Sequence, residues 1–428
     1  MNTLPPRVFI GTEEIAGYYS GLAQGFREIG VPVTKFLSQE HSFKYEKSSV
    51  AEQVLRKIGR KYREASKTDQ KKHILVSRIP RLERWITKQI IRRHDLFIFG
   101  FMTSLDGMMV GGPRLTDLKR IKRAGKKIIC VFHGSEVRPR WLNGKFIDYS
   151  TDDLLARAKK QIQWLRVIEE YADAIVSHPP MAPFQTRSSA HYLAIGVPLP
   201  AAKLIDTKTA SKTDRIRILH APSNPETKGS ALIQGCIDEL VAAGHKIDFK
   251  LLTGVPHTQV CHELAQSDLV IDQVFSDTPM AHFAAEAASY GCPSIICGND
   301  LTRLRDVTDP DIWPPSILGR PEELKSKIEW AITHPDERIK IGKSAQEFVK
   351  KNWTAAKVAQ NLLRLAENDI PESWMFDPNS QLFLGGYGMT IEQRDRLVSR
   401  MISDAGSDFL DVVREKPGFD LPIPQTAP

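Results

Sequence analysis

The sequence predicts an α/β protein with two doubly wound, Rossmann-like parallel-sheet lobes that face a central cleft. Short apolar runs alternate with amphipathic helical segments along the chain, a pattern typical of parallel sheets covered by helices. These runs fall into two groups, separated by a polar, proline-containing stretch without periodicity at 198–214. The charge also divides between the halves, since residues 1–200 carry 34 Lys and Arg against 19 Asp and Glu, and residues 201–428 carry 25 against 32.

The strands and helices are predicted from the local pattern of apolar residues and from the glycines that follow the helices. The predicted strands, in chain order, are RVFI (7–10), LFIFGF (96–101), KIICVF (127–132), DAIVS (173–177), RIRILHA (215–221), DFKLLTG (248–254), DLVIDQV (268–274) and CPSIIC (292–297). Helices are predicted at 16–29, 114–124 and 229–243, and each is followed directly by a glycine, which is a helix stop signal.

We expect the chain to divide into three segments. Residues 1–200 form a first lobe, residues 201–367 a second lobe, and residues 368–428 a tail that packs back on the lobes or is partly disordered. The first lobe contains a basic insertion at 40–93, because residues 44–93 hold 16 Lys and Arg against 5 Asp and Glu with helically spaced apolar residues. The insertion therefore predicts two basic helices.

Composition excludes several classes of protein. The 428 residues are 41% hydrophobic and 26% charged, as in globular proteins and unlike disordered or fibrous ones. No uncharged apolar stretch is long enough to cross a membrane, and the acidic residues near the start do not fit a signal peptide. The five cysteines match no zinc or redox spacing. We therefore expect a reduced, cytoplasmic protein.

The most informative motif is ILHAPSNPETKGSALIQG at 218–235. A predicted strand ends here, and Lys228-Gly229 opens the next helix. Backbone N–H groups at a helix start, together with one lysine, suit a phosphate. The loop by itself is equally compatible with an ordinary strand–helix connection whose lysine is solvated.

Two further motifs place ionisable side chains near predicted strand ends. In DLVIDQVFSDTPMAHFAAEAASYGCPSIIC (268–297), Asp272 ends a strand and Glu286 lies on an alanine-rich helix that begins near Pro279. A carboxylate buried there needs partners, which a ribose diol or a neighbouring Arg or Lys would supply. In VFHGSEVRPRW (131–141), His133 follows a strand and is either a structural hydrogen bonder or a reactive group in the cleft.

A fourth stretch, GTEEIAGYYSGLAQGF at 11–26, is the first strand–helix turn. Its glycines permit close approach to a phosphate, but it lacks the GxGxxG spacing of a dinucleotide-binding turn.

Taken together, these motifs resemble the large retaining GT-B glycosyltransferase group, the type called glycosyl transferases group 1. HAPSN followed by KG resembles its donor-phosphate loop, DLVIDQ with FAAEAASYGCPSI its nucleotide-sugar segment, and FHGSEVR its first-lobe histidine segment. The segment at 317–354 resembles its closing helices. The resemblance covers most of residues 5–367, is weak at 40–93 and is absent after about 370.

The resemblance implies a role for each matching position. Lys228 would hold the donor diphosphate, Glu286 the nucleotide ribose, and His133 would lie beside the transferred sugar. The implied catalytic residues are His133 and Lys228. The implied donor-binding residues are Lys228, Gly229, Asn224, Asp272 and Glu286, and the implied acceptor-side residues are Gly11, Thr12, Glu13 and Arg138.

Two positions depart from the family pattern. The arginine that often precedes the KG lysine is replaced by Pro222 to Pro225, and the first acid of the paired-glutamate motif is Thr278, next to Asp277. Two other functions therefore stay open. One is a non-catalytic sugar-binding or scaffold protein with the same fold, and the other is a nucleotide-sugar epimerase.

The function implied by the resemblance is transfer of a hexose from a UDP- or GDP-sugar, with retention, to a glycan, lipid-linked or small-molecule acceptor. The nucleotide-sugar is a co-substrate, and we expect no cofactor and no metal, since no Asp-x-Asp pair occurs where a metal is expected. The basic insertion is compatible with attraction to an anionic membrane surface, and thus with a peripheral location at its inner face, and also with a solvated pair of charged helices that only aids solubility. No aromatic-basic motif supports nucleic acid as a partner.

Overall fold

The computed structural model describes residues 4–38, 50–67, 74–100, 102–108, 115–134, 136–138, 152–200, 214–298, 301–378 and 399. These residues form two sheets, one of seven strands and one of five, with helices on both faces of each. The predicted α/β fold class, with two doubly wound parallel sheets facing a cleft, is confirmed by this topology.

The sheet of the first lobe has the strand order β12-β6-β5-β4-β3-β1-β2. Its strands are β1 (Val8–Thr12), β2 (Val33–Leu37), β3 (Leu96–Gly100), β4 (Lys127–Val131), β5 (Ala174–Ser177), β6 (Ser189–His191) and β12 (Met375–Phe376). Its helices are α1 (Tyr18–Glu28), α2 (Val50–Lys67), α3 (Ile74–Arg93), α4 (Thr116–Arg123), α5 (Asp152–Tyr171) and α6 (Tyr192–Ile195). Strands β1 to β6 pair in parallel, and β12 is antiparallel to β6.

The sheet of the second lobe has the order β11-β10-β9-β7-β8, with every pair parallel. Its strands are β7 (Ile216–His220), β8 (Ile247–Leu251), β9 (Leu269–Gln273), β10 (Ser294–Cys297) and β11 (Ile317–Gly319). Its helices are α7 (Pro225–Lys228), α8 (Ser230–Ala242), α9 (His257–Gln266), α10 (His282–Ser289), α11 (Leu301–Asp306), α12 (Leu324–Thr333) and α13 (Pro335–Asn352).

Both faces of each sheet are covered, because the central strands are nearly continuous apolar runs whose successive side chains point to opposite faces. In β1, Phe9 packs with the phenylalanines of β3 on one face, while Val8 and Ile10 pack on the other face with α1. The second of these cores also includes Ala284 and Ala288 of the second lobe, so apolar packing joins the two lobes.

After the helices of the second lobe, the chain crosses back to the first lobe. Trp353 is fully buried, and its indole N–H donates to the carbonyl of Leu193 at 3.0 Å. Helix α14 (Ala355–Ala366) then packs on α1, where a Cβ on Gly25 would lie 2.0 Å from a backbone oxygen. The lobe boundary predicted at 367 therefore falls after the return has begun. The apolar face of α14 could pack on either lobe, so the sequence of α14 does not indicate the lobe to which this helix belongs.

Several predicted features fall partly outside the described residues. The linker at 198–214 is described only at its ends, and the tail expected at 368–428 is described only at 368–378 and at residue 399. The basic insertion contains two helices, α2 and α3, as its apolar spacing predicts. In the part of the chain that the structure describes, no helix is long and apolar enough to span a membrane.

Candidate functional site

A cleft of about 650 Å³ lies between the two lobes and is lined by residues of both. In the second lobe the sheet order places β7 and β9 side by side, and the connections leaving them run in opposite directions. Ligands of open α/β sheets bind outside the carboxyl ends of strands at such a point. Side chains that follow β7 and β9 line the cleft there, which agrees with this rule.

Lys228 and the end of β9 form a charged group in the cleft wall. The Lys228 ammonium donates to the side-chain oxygen of Gln273 and lies 3.7 Å from Oδ1 of Asp272. The Asp272 side chain is 2% exposed, and its Oδ2 has no hydrogen-bond partner among the described residues. Burial raises the pKa of Asp272, and the nearby Lys228 opposes that shift. Lys228 thus presents a cation to the cleft, backed by a buried carboxylate.

The loop before Lys228 is stabilised by one of its own side chains, that of Asn224, which caps a short helix. Asn224 Oδ1 accepts from the backbone N–H groups of Glu226 and Thr227, at 3.0 and 3.1 Å, and so caps the short helix α7. Gly229 has φ +77° and lies where a Cβ would approach Val274 at 2.8 Å. Gly229 therefore seats the loop against β9, while Asn224 lines the cleft and stabilises the turn.

Glu286 lies in the same cleft, on α10. Its side chain is 5% exposed, and its Oε1 accepts from His257 Nε2 at 2.7 Å. His282, one turn earlier on the helix, has its Nε2 3.8 Å from the same oxygen. The partner that the sequence left open is thus histidine in this structure.

His133 comes from the first lobe and follows β4. Its Nε2 lies 3.0 Å from the hydroxyl of Tyr19, and its ring makes edge-on contacts with Tyr18 and Tyr192. Burial among these rings lowers the pKa of His133 to about 3. The imidazole is therefore neutral near pH 7, so it serves as a hydrogen-bonding group rather than as a cation.

A carboxyl group and an ion pair complete the wall of the first lobe. Glu136 Oε1 accepts from the backbone N–H of His133 at 2.5 Å, and its Oε2 has no partner among the described residues. Burial raises the pKa of Glu136 to about 7. Arg138 pairs across the cleft with Asp277 of the second lobe at 3.3 Å, with both side chains nearly buried. This pair is a direct polar link between the lobes.

The remaining predicted acceptor-side residues lie at the end of β1 and directly after it. Gly11 and Thr12 are buried at the end of β1, and Glu13 accepts a hydrogen bond from Ser38 at 2.9 Å. In the described part of the chain none of these three lines the cleft, whereas Arg138 does. The helix start after β1 is occupied by Glu14, which accepts from the N–H groups of Tyr19 and Ser20, each at 3.0 Å.

Several residues of the cleft were not identified from the sequence as site residues. They are Glu136, His178, Tyr192, His257, Gln273, Asp277 and His282. Asp277 was noted only as the neighbour of Thr278, and the structure places both of them in the cleft wall. A proline-histidine pair that opens a helix after a strand, as at His257, is too common to mark a site without the fold.

No protein-family model matches the sequence, and no curated protein matches it. Solved structures with a similar chain include HepE of Anabaena in complex with UDP, at 10% identity over 85% of this chain and 100% of that one, with a TM-score of 0.47. The catalytic domain of starch synthase IV from Arabidopsis thaliana, bound to ADP and acarbose, is 10% identical over 85% of this chain and 99% of that one, with a TM-score of 0.48.

A third similar chain is an α,α-trehalose-phosphate synthase (UDP-forming) from Burkholderia xenovorans in complex with glucose-6-phosphate. It is 11% identical over 84% of this chain and 100% of that one, with a TM-score of 0.49.

Proposed function

We propose that this chain is a glycosyltransferase that moves a hexose from a nucleotide-diphosphate donor to an acceptor hydroxyl, with retention of the anomeric configuration. The observation that carries the proposal is that Lys228 and Glu286 of one lobe and His133 of the other line a single cleft. A cation suits a diphosphate, and a buried carboxylate suits the hydroxyls of a ribose. Three separate sequence motifs thus supply complementary groups to one site.

The proposed reaction needs no nucleophile from the protein. The bond between the sugar C1 and the β-phosphate oxygen breaks, and the acceptor oxygen bonds to C1 on the same face. The acceptor proton passes to the departing phosphate oxygen. Negative charge grows on the leaving diphosphate, and Lys228 stabilises it without a metal ion. Neutral His133 can hydrogen-bond a hydroxyl of the sugar or of the acceptor without adding a positive charge beside the oxocarbenium-like carbon.

The acceptor side of the proposal rests on the basic insertion. Along α3, Arg81, Leu82, Arg84, Trp85 and Lys88 are exposed, and the Trp85 residue is 59% exposed. A helix that mixes basic side chains with exposed leucine and tryptophan suits an anionic lipid surface. We therefore propose a peripheral location at the inner face of a membrane in the cytoplasm, and a lipid-linked or other glycan acceptor.

Turnover of a panel of UDP- and GDP-sugars tests the function. We expect release of the nucleoside diphosphate from one donor, and NMR of the product should show the donor's anomeric configuration. Inverted product would contradict retention, and an epimeric free sugar would support the epimerase. Tight nucleotide binding without turnover of any donor would support the scaffold protein.

Vesicle flotation tests the membrane part independently. Binding should rise with the anionic lipid fraction, fall as salt screens the charges, and weaken when Arg81, Arg84 and Lys88 are all changed to glutamine. Absence of the full chain from strongly anionic vesicles at low salt would overturn this part and leave a soluble acceptor.

A further inference from the structure

Glu286 is held by a specific neighbour from another helix. Its carboxylate is nearly buried on α10, and burial of a carboxylate is costly unless hydrogen bonds compensate it. His257, the first residue of α9, donates from Nε2 to Oε1 of Glu286 at 2.7 Å. This distance is typical of a charge-assisted hydrogen bond. The bond joins two elements that follow different strands of the second lobe.

The His257 ring is itself held in place. It is 16% exposed in the cleft wall, and Cys261, one turn later on α9, has its Sγ 3.8 Å from Nδ1 and 3.7 Å from Nε2, so the sulfur lies beside both ring nitrogens. Nε2 also faces Oε1 of Glu286. The preceding loop also belongs to the cleft, since Leu252, Gly254 and Val255 line it. The ring therefore lies between the part of the cleft formed after β8 and the carboxylate on α10.

We propose that His257 is a positioning residue that orients the Glu286 carboxylate toward the vicinal hydroxyls of a ribonucleoside diphosphate. This inference rests on the proposed function, in which Glu286 binds the donor ribose. A carboxylate accepts about four hydrogen bonds, so a bond from His257 at one oxygen is compatible with two ribose hydroxyls at the remaining positions. The N–H bond restricts rotation of the carboxylate and so selects the orientation in which it can accept both hydroxyls.

The consequence is discrimination between a ribose and a 2′,3′-dideoxyribose, which lacks both hydroxyls. Two hydrogen bonds to an ionised carboxylate distinguish a ribonucleotide from its dideoxy analogue, and each such bond contributes about 10- to 100-fold in affinity. Without His257 the carboxylate loses its 2.7 Å hydrogen bond and keeps the longer, 3.8 Å contact between His282 Nε2 and Oε1, so its orientation is less restricted and the preference should fall even though Glu286 is still present.

Calorimetric titration of the full chain tests this. UDP and GDP are titrated first, and the tighter one is compared with its 2′,3′-dideoxy analogue. We expect wild type to prefer the ribonucleotide by about 100-fold or more, and His257→Leu to reduce this ratio to within a few-fold of unity. His257→Gln, which keeps an N–H donor, should retain much of the preference. His262→Leu is the matched control, because His262 is an exposed histidine of the same helix that bonds to Gln266.

The outcomes separate this inference from the proposed function. If wild type binds neither nucleotide, the proposed function fails and this inference with it. If wild type discriminates and folded His257→Leu discriminates equally, His257 is not the positioning residue and the proposed function stands. If His257→Leu does not fold, His257→Phe keeps a ring without the donor, and its ratio decides in the same way.

Discussion

Replacing Lys228 by methionine removes a cation from the cleft wall while keeping most of the length of the side chain. The ammonium lies 3.7 Å from Asp272, and the Lys228 side chain is 23% exposed and lines the cleft, so it contacts both a buried carboxylate and the cleft. In the variant a donor diphosphate would lose an attractive partner and approach Asp272 without a cation between them. Both changes act against the departing diphosphate, so the loss should fall on turnover more than on folding.

The structure sets the size of the effect. Two unit charges about 4 Å apart interact by about 4 kcal/mol at the effective dielectric of a partly buried site. Because Lys228 is partly exposed, we expect a loss near that of one transition-state donor, about 10²- to 10³-fold in kcat/KM. Asp272 also loses a partner, and this should lower the free energy of unfolding by roughly 1–3 kcal/mol.

The assay is release of nucleoside diphosphate from the best donor of the panel. Lys250→Met is the matched control, because Lys250 is exposed in the same lobe and pairs with Glu263 at 2.6 Å. Adding Asp272→Asn to Lys228→Met should restore stability but not activity. A Lys228→Met protein that turns over at the wild-type rate with saturating donor would refute the assignment of Lys228 to the diphosphate.

Three further outcomes are expected. His133→Ala should leave calorimetric UDP or GDP affinity within a few-fold of wild type but nearly abolish transfer, and an equal loss of affinity would contradict its place beside the sugar. Burial raises the pKa of Glu136 to about 7 in the folded chain, whereas the unfolded chain releases this proton above about pH 4.5. The free energy of unfolding of wild type therefore falls as pH rises from about 4.5 to about 7. Glu136→Gln should therefore gain up to about 3 kcal/mol relative to wild type in urea unfolding between pH 5 and 8, whereas parallel pH profiles would contradict the buried carboxyl. Gly229→Ala should destabilise by about 1–3 kcal/mol more than the control Gly244→Ala, since both have positive φ but only Gly229 has a neighbour within 4 Å of its Cβ; equal costs would show that Val274 yields.

The sequence alone determined the α/β class, the two lobes and most strands, because these depend on a local pattern, in which short apolar runs alternate with amphipathic helical segments. It missed β2, β6, β11 and β12. Strand β2 is only partly buried, and the other three have two or three residues each, so none presents a strong apolar run. The motifs also singled out Lys228, Glu286 and His133, which the structure places along one cleft, since a lysine-glycine pair, an acid among alanines and a strand-end histidine are visible in the sequence.

Only the tertiary structure decided which groups meet. Glu286 and His257 are 29 residues apart, Arg138 and Asp277 are 139 apart, and each pair forms because different loops converge at the edges of the sheets. In the described part of the chain, Gly11, Thr12 and Glu13 do not line the cleft: Gly11 and Thr12 are buried in β1, Glu13 accepts a hydrogen bond from Ser38, and Glu14 accepts from the N–H groups at the start of α1. Periodicity reports whether a side chain is buried, but its partner depends on strand order and on the packing of one lobe against the other, which no local pattern encodes.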